Sequence, residues 1–99
     1  MTFHLQWTER GLQEFQTALD FIAADDPVNA QLVRDRTFRT ISNLRAFSLG
    51  LPAPHGTQKI YVPKTSYFLV FRRDKKDAIT ICGFVHASRD WDRIDWESI

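Results

Sequence analysis

Hydrophobic and polar positions change period along the chain, and each change marks a new element. Phe3, Leu5 and Trp7 alternate with His4 and Gln6, the period of two that belongs to a half-buried strand, so residues 3–7 are expected to form one. Thr8 then stands as an N-cap ahead of Glu9, an anion in the first helical turn, and Leu12, Phe15, Leu19 and Ile22 recur at steps of three and four. This spacing predicts an amphipathic helix of about four turns. Gly11 weakens its start by up to ~1 kcal/mol relative to Ala, a cost left for tertiary packing to offset. Asp25-Asp26-Pro27 closes that helix and opens another, because Asp caps well and Pro is tolerated at the first helical position. From Pro27 to about Phe47, Ala30, Val33, Ile41 and Leu44 keep helical spacing while Arg34, Arg36, Arg39 and Arg45 occupy other faces. Two helices joined this tightly form an αα-hairpin.

Ser48 to Gly56 holds Gly50, Pro52, Pro54 and Gly56 and reads as a loop. Beyond it the pattern returns to strands. Ile60 and Val62 flank Tyr61 before Pro63, Tyr67 to Arg73 is a second strand, and Asp74-Lys75-Lys76-Asp77 is a charged turn into Ala78 to His86. Strict alternation places Tyr67, Leu69, Phe71 and Arg73 on one face and Phe68, Val70 and Arg72 on the other. In the partner strand it sets Ile79, Ile81 and Val85 against Cys82, Phe84 and His86. Arg89 to Ile99, with Trp91, Ile94 and Trp96, is expected to lay one short helical turn over the sheet edge. The fold class that follows is α+β: an N-terminal strand and a two-helix hairpin packed on a mostly antiparallel four-stranded sheet. Its expected core is Leu5, Trp7, Leu12, Phe15, Leu19, Ile22, Val33, Ile41, Leu44, Leu69, Phe71, Ile79, Ile81 and Val85.

With 99 residues, 43% of them hydrophobic, the chain is expected to form one domain over 1–99. Thirteen per cent aromatic residues supply large apolar area for so small a core. The formal net charge of +1 excludes an acidic disordered chain or a uniformly basic tail, yet it hides an uneven distribution. Residues 1–30 carry one base against five acids, 31–89 eleven bases against three acids, and 90–99 one base against four acids. A basic middle of this kind suits a polyanion or an acidic partner. The single cysteine, Cys82, has no internal disulfide partner, and neither a cleavable signal nor a membrane-spanning run is evident, which points to the cytoplasm.

Few residues carry candidate chemistry. His4, His55 and His86 fit no metal-ligand spacing, so no metal and no cofactor are expected. Cys82 and His86 lie about 13 Å apart along a strand, too far for a thiolate–imidazole pair, and Cys82 reads as a small buried hydrophobe. Gly50 and Gly56 lack the following Lys-Ser/Thr of a phosphate-cradling loop. What remains is a basic sheet of Lys59, Lys64, Arg72, Arg73 and Arg89, with His86, Tyr61, Tyr67 and Phe68. The bases near its tip are equally those of a solvated hairpin end.

The order strand, helix pair, Gly/Pro loop and meander resembles the ParE/RelE toxin superfamily of bacterial type II toxin–antitoxin systems. The words that carry the resemblance are Trp7-Thr8, Asp26-Pro27, Gly56-Thr57, Val62-Pro63, Tyr67-Phe68-Leu69-Val70-Phe71-Arg72 and His86-Ala87-Ser88-Arg89-Asp90-Trp91. The last of them looks like the ParE branch. Gly56-Thr57-Gln58-Lys59 departs from the G-T-R-E common in that branch, so its Arg and Glu are absent. The resemblance implies a growth-arresting toxin held in a hetero-oligomer by a cognate antitoxin. A ParE-like member inhibits DNA gyrase, for which Arg72, Arg73, Arg89 and Trp91 are the target-binding candidates. The alternatives are a RelE-like endoribonuclease acting on messenger RNA in the ribosome, or an inactive relic serving as antitoxin co-repressor. For ribonuclease chemistry His55 and His86 would be the base and acid, with Lys59, Arg72 and Arg89 as cations for the phosphorane charge.

Overall fold

The computed structural model describes residues 4–47, 49–75 and 78–89. The elements run β1 (His4–Trp7), α1 (Glu9–Asp25), α2 (Pro27–Ala46), β2 (Leu51–Pro52), β3 (Gln58–Tyr61), β4 (Tyr67–Lys75) and β5 (Ala78–His86). They build one mixed sheet of order β1-β5-β4-β3-β2. β1 runs parallel to β5 and the other neighbours are antiparallel. The α+β class and the helix hairpin agree with the sequence reading, and the strand count rises from four to five. The additional strand, β2, is two residues long and lies inside the expected Gly/Pro loop, where Leu51 and Pro52 pair with Lys59 and Gln58. Pro52 is tolerated there because β2 is an edge. The third strand covers Gln58–Tyr61, slightly earlier than the sequence implies, and Val62 follows it buried. Lys76, Asp77 and the C-terminal segment expected to turn over the sheet edge, from Asp90 on, lie outside the described residues.

Both helix starts are set by their caps. Thr8 Oγ1 accepts from the Gly11 amide at 3.0 Å, and Asp26 Oδ1 accepts from the Asn29 amide at 3.0 Å with Pro27 in the first turn. The Asp26 amide also donates to the Ile22 carbonyl at 2.8 Å, so one residue ends α1 and starts α2. Gly11, a weakness on helix propensity alone, is a packing requirement. A Cβ there would sit 2.7 Å from the Ile81 carbonyl oxygen, where the start of α1 lies against β5. The Thr8 amide donates to that same oxygen at 2.9 Å. Gly11→Ala is therefore expected to destabilise the fold by about 1–3 kcal/mol, the cost of overpacking, instead of gaining helix propensity; a urea midpoint lowered at constant slope is the readout.

The face of the sheet toward the helices carries the main core. Phe15, Val33, Ile41, Leu44, Leu69, Phe71, Ile79, Ile81 and Phe84 are buried together there, with Trp7, Leu19, Ile22 and Tyr67 partly buried against them. Two expected members fail. Leu12 is 50% exposed, because Gly11 and Phe15 take the inward face of α1 and leave Leu12 turned outward. Leu5 is 37% exposed, since β1 is an edge strand with only β5 beside it. Two threonines missing from the expected core are buried on α2, and their hydroxyls are satisfied one turn back: Thr37 by the Val33 carbonyl at 2.8 Å and Thr40 by that of Arg36 at 2.9 Å.

Strict alternation also breaks in β5. Val70 faces Gly83 whereas Phe71 faces Ile81, so Cys82 is an extra residue in the ladder. The bulge reverses the pattern beyond it. Phe84 joins Ile79 and Ile81 on the helix side, and Val85 joins Cys82, Phe68 and Val70 in a second buried cluster on the far side. Both placements correct the sequence expectation. Burial in this cluster pushes the Cys82 thiol up, the Asp74 carboxylate reinforcing and the Arg72 guanidinium opposing the shift.

Candidate functional site

Four of the five bases singled out by sequence, Lys59, Arg72, Arg73 and Arg89, meet a definite neighbour. On the far face of the sheet Lys59 lies over the rings of Tyr61 and Phe68, at 5.3 and 5.7 Å from their centroids. Arg72 shares that face by alternation, and its Nε stands 3.5 Å from Asp74 Oδ1. Asp74 in turn accepts from the Thr80 hydroxyl. Arg73 points the other way and grips the end of α2. Its guanidinium donates to the carbonyls of Leu44 (3.3 Å), Phe47 (3.1 Å) and Leu49 (3.3 Å), closing acceptors that a helix C-terminus leaves open. Arg73→Lys keeps the charge but not the fork, and is expected to lower stability by about 1–2 kcal/mol in chemical denaturation.

A second group gathers at the opposite end of the β4–β5 ladder. His86 ends β5 opposite Tyr67, edge-on to that ring with centroids 5.1 Å apart, and its Nδ1 accepts from the Ser88 amide at 3.1 Å. The Arg89 amide donates to the His86 carbonyl at 3.0 Å, so His86 to Arg89 form one tight turn. Arg89 Nη1 reaches Glu14 Oε2 on α1 at 3.4 Å. Glu14, which the sequence reading passed over, is the hub here: it also pairs with Arg10 at 3.8 Å, and its Oε1 accepts from the Phe84 amide at 3.3 Å. Gly83 makes the room, since a Cβ there would stand 3.0 Å from that oxygen. Arg10 and Glu14 are visible in sequence as an i,i+4 pair, but the link to Arg89 spans 75 residues and has no local signal. Around this hub runs an open groove of about 440 Å³ lined by Arg10, Glu14, Phe21, Tyr67, Phe84 and Arg89. Phe21 on its rim is 74% exposed.

The five residues considered for phosphoryl chemistry are not brought together. His86 and Arg89 are neighbours, but Tyr67, the strand partner of His86, is five residues from Arg72, which puts about 16 Å of strand between the two positions. Arg72 also lies on the other face. His55 sits in the loop after β2 with a left-handed backbone, φ 60°, and Lys59 is on β3 with its aromatic neighbours. The bulge sets Cys82 and His86 on opposite faces. Trp91 lies outside the described residues. Among the described residues no three His, Cys, Asp or Glu side chains are grouped as metal ligands, and no helix is long and apolar enough to cross a membrane.

The fold is that of the ParE and RelE toxins. A chain of the chromosomal ParDE toxin–antitoxin system of P. aeruginosa superposes with a TM-score of 0.72 at 17% identity, over 85% of this chain and 95% of that one. The isolated E. coli RelE toxin gives 0.56 at 18% identity, over 90% and 88%. The intact E. coli RelBE complex gives 0.55 at 18%, over 89% and 100%. The likeness in fold is higher to the ParDE chain than to either RelE structure. No protein-family model matches the sequence, and no curated protein matches it significantly.

Proposed function

We propose that the chain is the toxin of a type II toxin–antitoxin pair and that it acts in the ParE manner, by binding DNA gyrase without performing covalent chemistry. The observation that carries the second half is the dispersal of the ribonuclease candidates: His86 and Arg72 lie at opposite ends and on opposite faces of the β4–β5 ladder. The base, the acid and the cations of such a reaction must converge on one scissile phosphodiester, and a cation position about 16 Å along the strand from His86 and on the other face of the sheet does not meet that condition. Binding makes no such demand. Arg89, held by Glu14 at a groove with an exposed aromatic rim, and Arg72 at the opposite end offer separate charged contacts to a large protein partner.

The antitoxin half rests on surface chemistry and on the neighbours of the fold, which include toxin–antitoxin complexes. β1 and β2 are the two edges of the sheet, and Leu12, Phe21 and Val28 are large apolar side chains left exposed on the helices. An antitoxin arm that adds a strand or lays a helix on these surfaces removes an aggregation hazard. An arm rich in Asp and Glu also suits the basic middle of the chain, so association should slow with added salt. The test is induction of the chain without its antitoxin in growing cells. Filamentation with a DNA-damage response supports the gyrase reading, whereas prompt loss of translation with cut messages supports a ribonuclease, and normal growth a relic.

A further inference from the structure

The bases of the chain are unequally committed to partners within it. Arg10 and Arg89 pair with Glu14, Arg72 with Asp74, Arg73 with the carbonyls at the end of α2, and Arg34 lies 5.0 Å over the Phe38 ring. Three others converge on a separate cleft of about 350 Å³ between α2 and the turn linking β3 to β4, whose walls carry Arg36 and Arg39 on one side and Lys64 on the other. Among the described residues Arg36, Arg39 and Lys64 have no carboxylate within ion-pair distance. Asp35, the one acid on the wall, is tied to Gln31 Nε2 at 3.1 Å. The site is also braced. Arg36 Nη1 donates to the Lys64 carbonyl at 3.3 Å, fixing the helix against the turn. Lys64 holds φ 60°, a left-handed backbone that costs a lysine energy where Gly or Asn would sit without strain.

From this arrangement we infer that the cleft docks the phosphodiester backbone of a DNA duplex. Arg36 and Arg39 are three apart on α2, about 5–6 Å between Cβ atoms, and both line the cleft. Lys64 faces them from the other wall. Each backbone phosphate carries a full negative charge and the groups recur at fixed spacing along a strand, so a duplex can meet the bases of both walls, with the many charges that a lone side-chain carboxylate lacks. A single strand is the poorer fit, because such strands are held on aromatic platforms and the lining here contains none. The contact is to backbone alone, so it orients the protein along a duplex without reading sequence. It is distinct from the Glu14–Arg89 groove, and it stands or falls independently of the gyrase reading.

The test is fluorescence anisotropy of the purified chain with a labelled DNA duplex of about two helical turns, titrated at several salt concentrations. Three phosphate contacts predict a slope of log K on log salt near −2.7, from about −0.9 per contact, or roughly 40-fold weaker binding at 200 mM than at 50 mM salt. Arg39→Gln should make the slope shallower by about 0.9. Lys64→Asn, which keeps a residue suited to the left-handed backbone, should do the same. Arg34→Gln, an equal loss of charge on the same helix outside the cleft, should leave the slope unchanged. Circular dichroism of each variant confirms that it is folded. An RNA duplex competing as well as DNA fits a backbone contact. The inference is overturned by absence of binding, by equal effects of Arg34→Gln and Arg39→Gln, or by tighter binding of a poly-glutamate peptide or of single-stranded DNA.

Discussion

Phe15→Ala is expected to cost about 3–5 kcal/mol, the largest stability loss of any single truncation considered for this chain. Phe15 is 5% exposed and its ring is the meeting point of three others: Trp7 stacks on it at 5.2 Å, Phe38 stands edge-on at 5.8 Å and Phe84 edge-on at 4.9 Å. These neighbours come from β1, α2 and β5, so the one ring ties the first strand and the second helix to the centre of the sheet. Truncation opens a cavity that three large, separately anchored rings cannot collapse to fill. In a domain of this size each kcal/mol lowers Tm by about 4–8 °C, so a fall of more than about 12 °C is expected in thermal unfolding. A loss under 1 kcal/mol would mean that the helices are not held to the sheet through this cluster.

The second large effect concerns activity. If the chain inhibits gyrase by contact, Arg89→Ala and Arg72→Ala should each weaken inhibition by about 1–3 kcal/mol, roughly 5- to 150-fold in the inhibitory concentration. Arg89 is held toward the groove by Glu14, and that restraint lowers the cost of ordering its side chain on a partner. Glu14→Gln should accordingly weaken inhibition as well, by less than Arg89→Ala, because the arginine remains but its restraint does not. His86→Ala should change inhibition little, since the ring packs on Tyr67 and its Nδ1 is engaged by Ser88, so that its role is in the local turn. Equal collapse of activity with His86→Ala would point to chemistry at that ring.

What the sequence made legible is what local chemistry decides. The ends of α1 and α2 follow from Thr8, Asp26 and Pro27, whose side chains act on amides three residues away, and these are the boundaries the structure keeps. β4 was legible as a run of strand-forming residues, and the buried positions Leu69 and Phe71 followed from it. The bulge at Cys82 was not, because an inserted residue leaves no mark on composition, and so Phe84 and Val85 were assigned to the wrong faces. β2 escaped for another reason: two residues between glycines and prolines carry no period, and they pair only because β3 lies alongside. The bases were visible as a group but not their roles. Arg73 became a helix cap through carbonyls 24 to 29 residues earlier, and Glu14 became the anchor of Arg89 across 75. Such roles depend on which residues the fold brings together.

The central claim is that this fold acts by binding gyrase, and the most direct measurement is a supercoiling assay with purified gyrase and the purified chain, run beside cleavage of messenger RNA on translating ribosomes. Inhibition of supercoiling that weakens with Arg89→Ala and Arg72→Ala, with messages left intact, is the predicted result. Supercoiling untouched by the parent protein, together with RNA cleavage that is lost on His86→Ala, would contradict it.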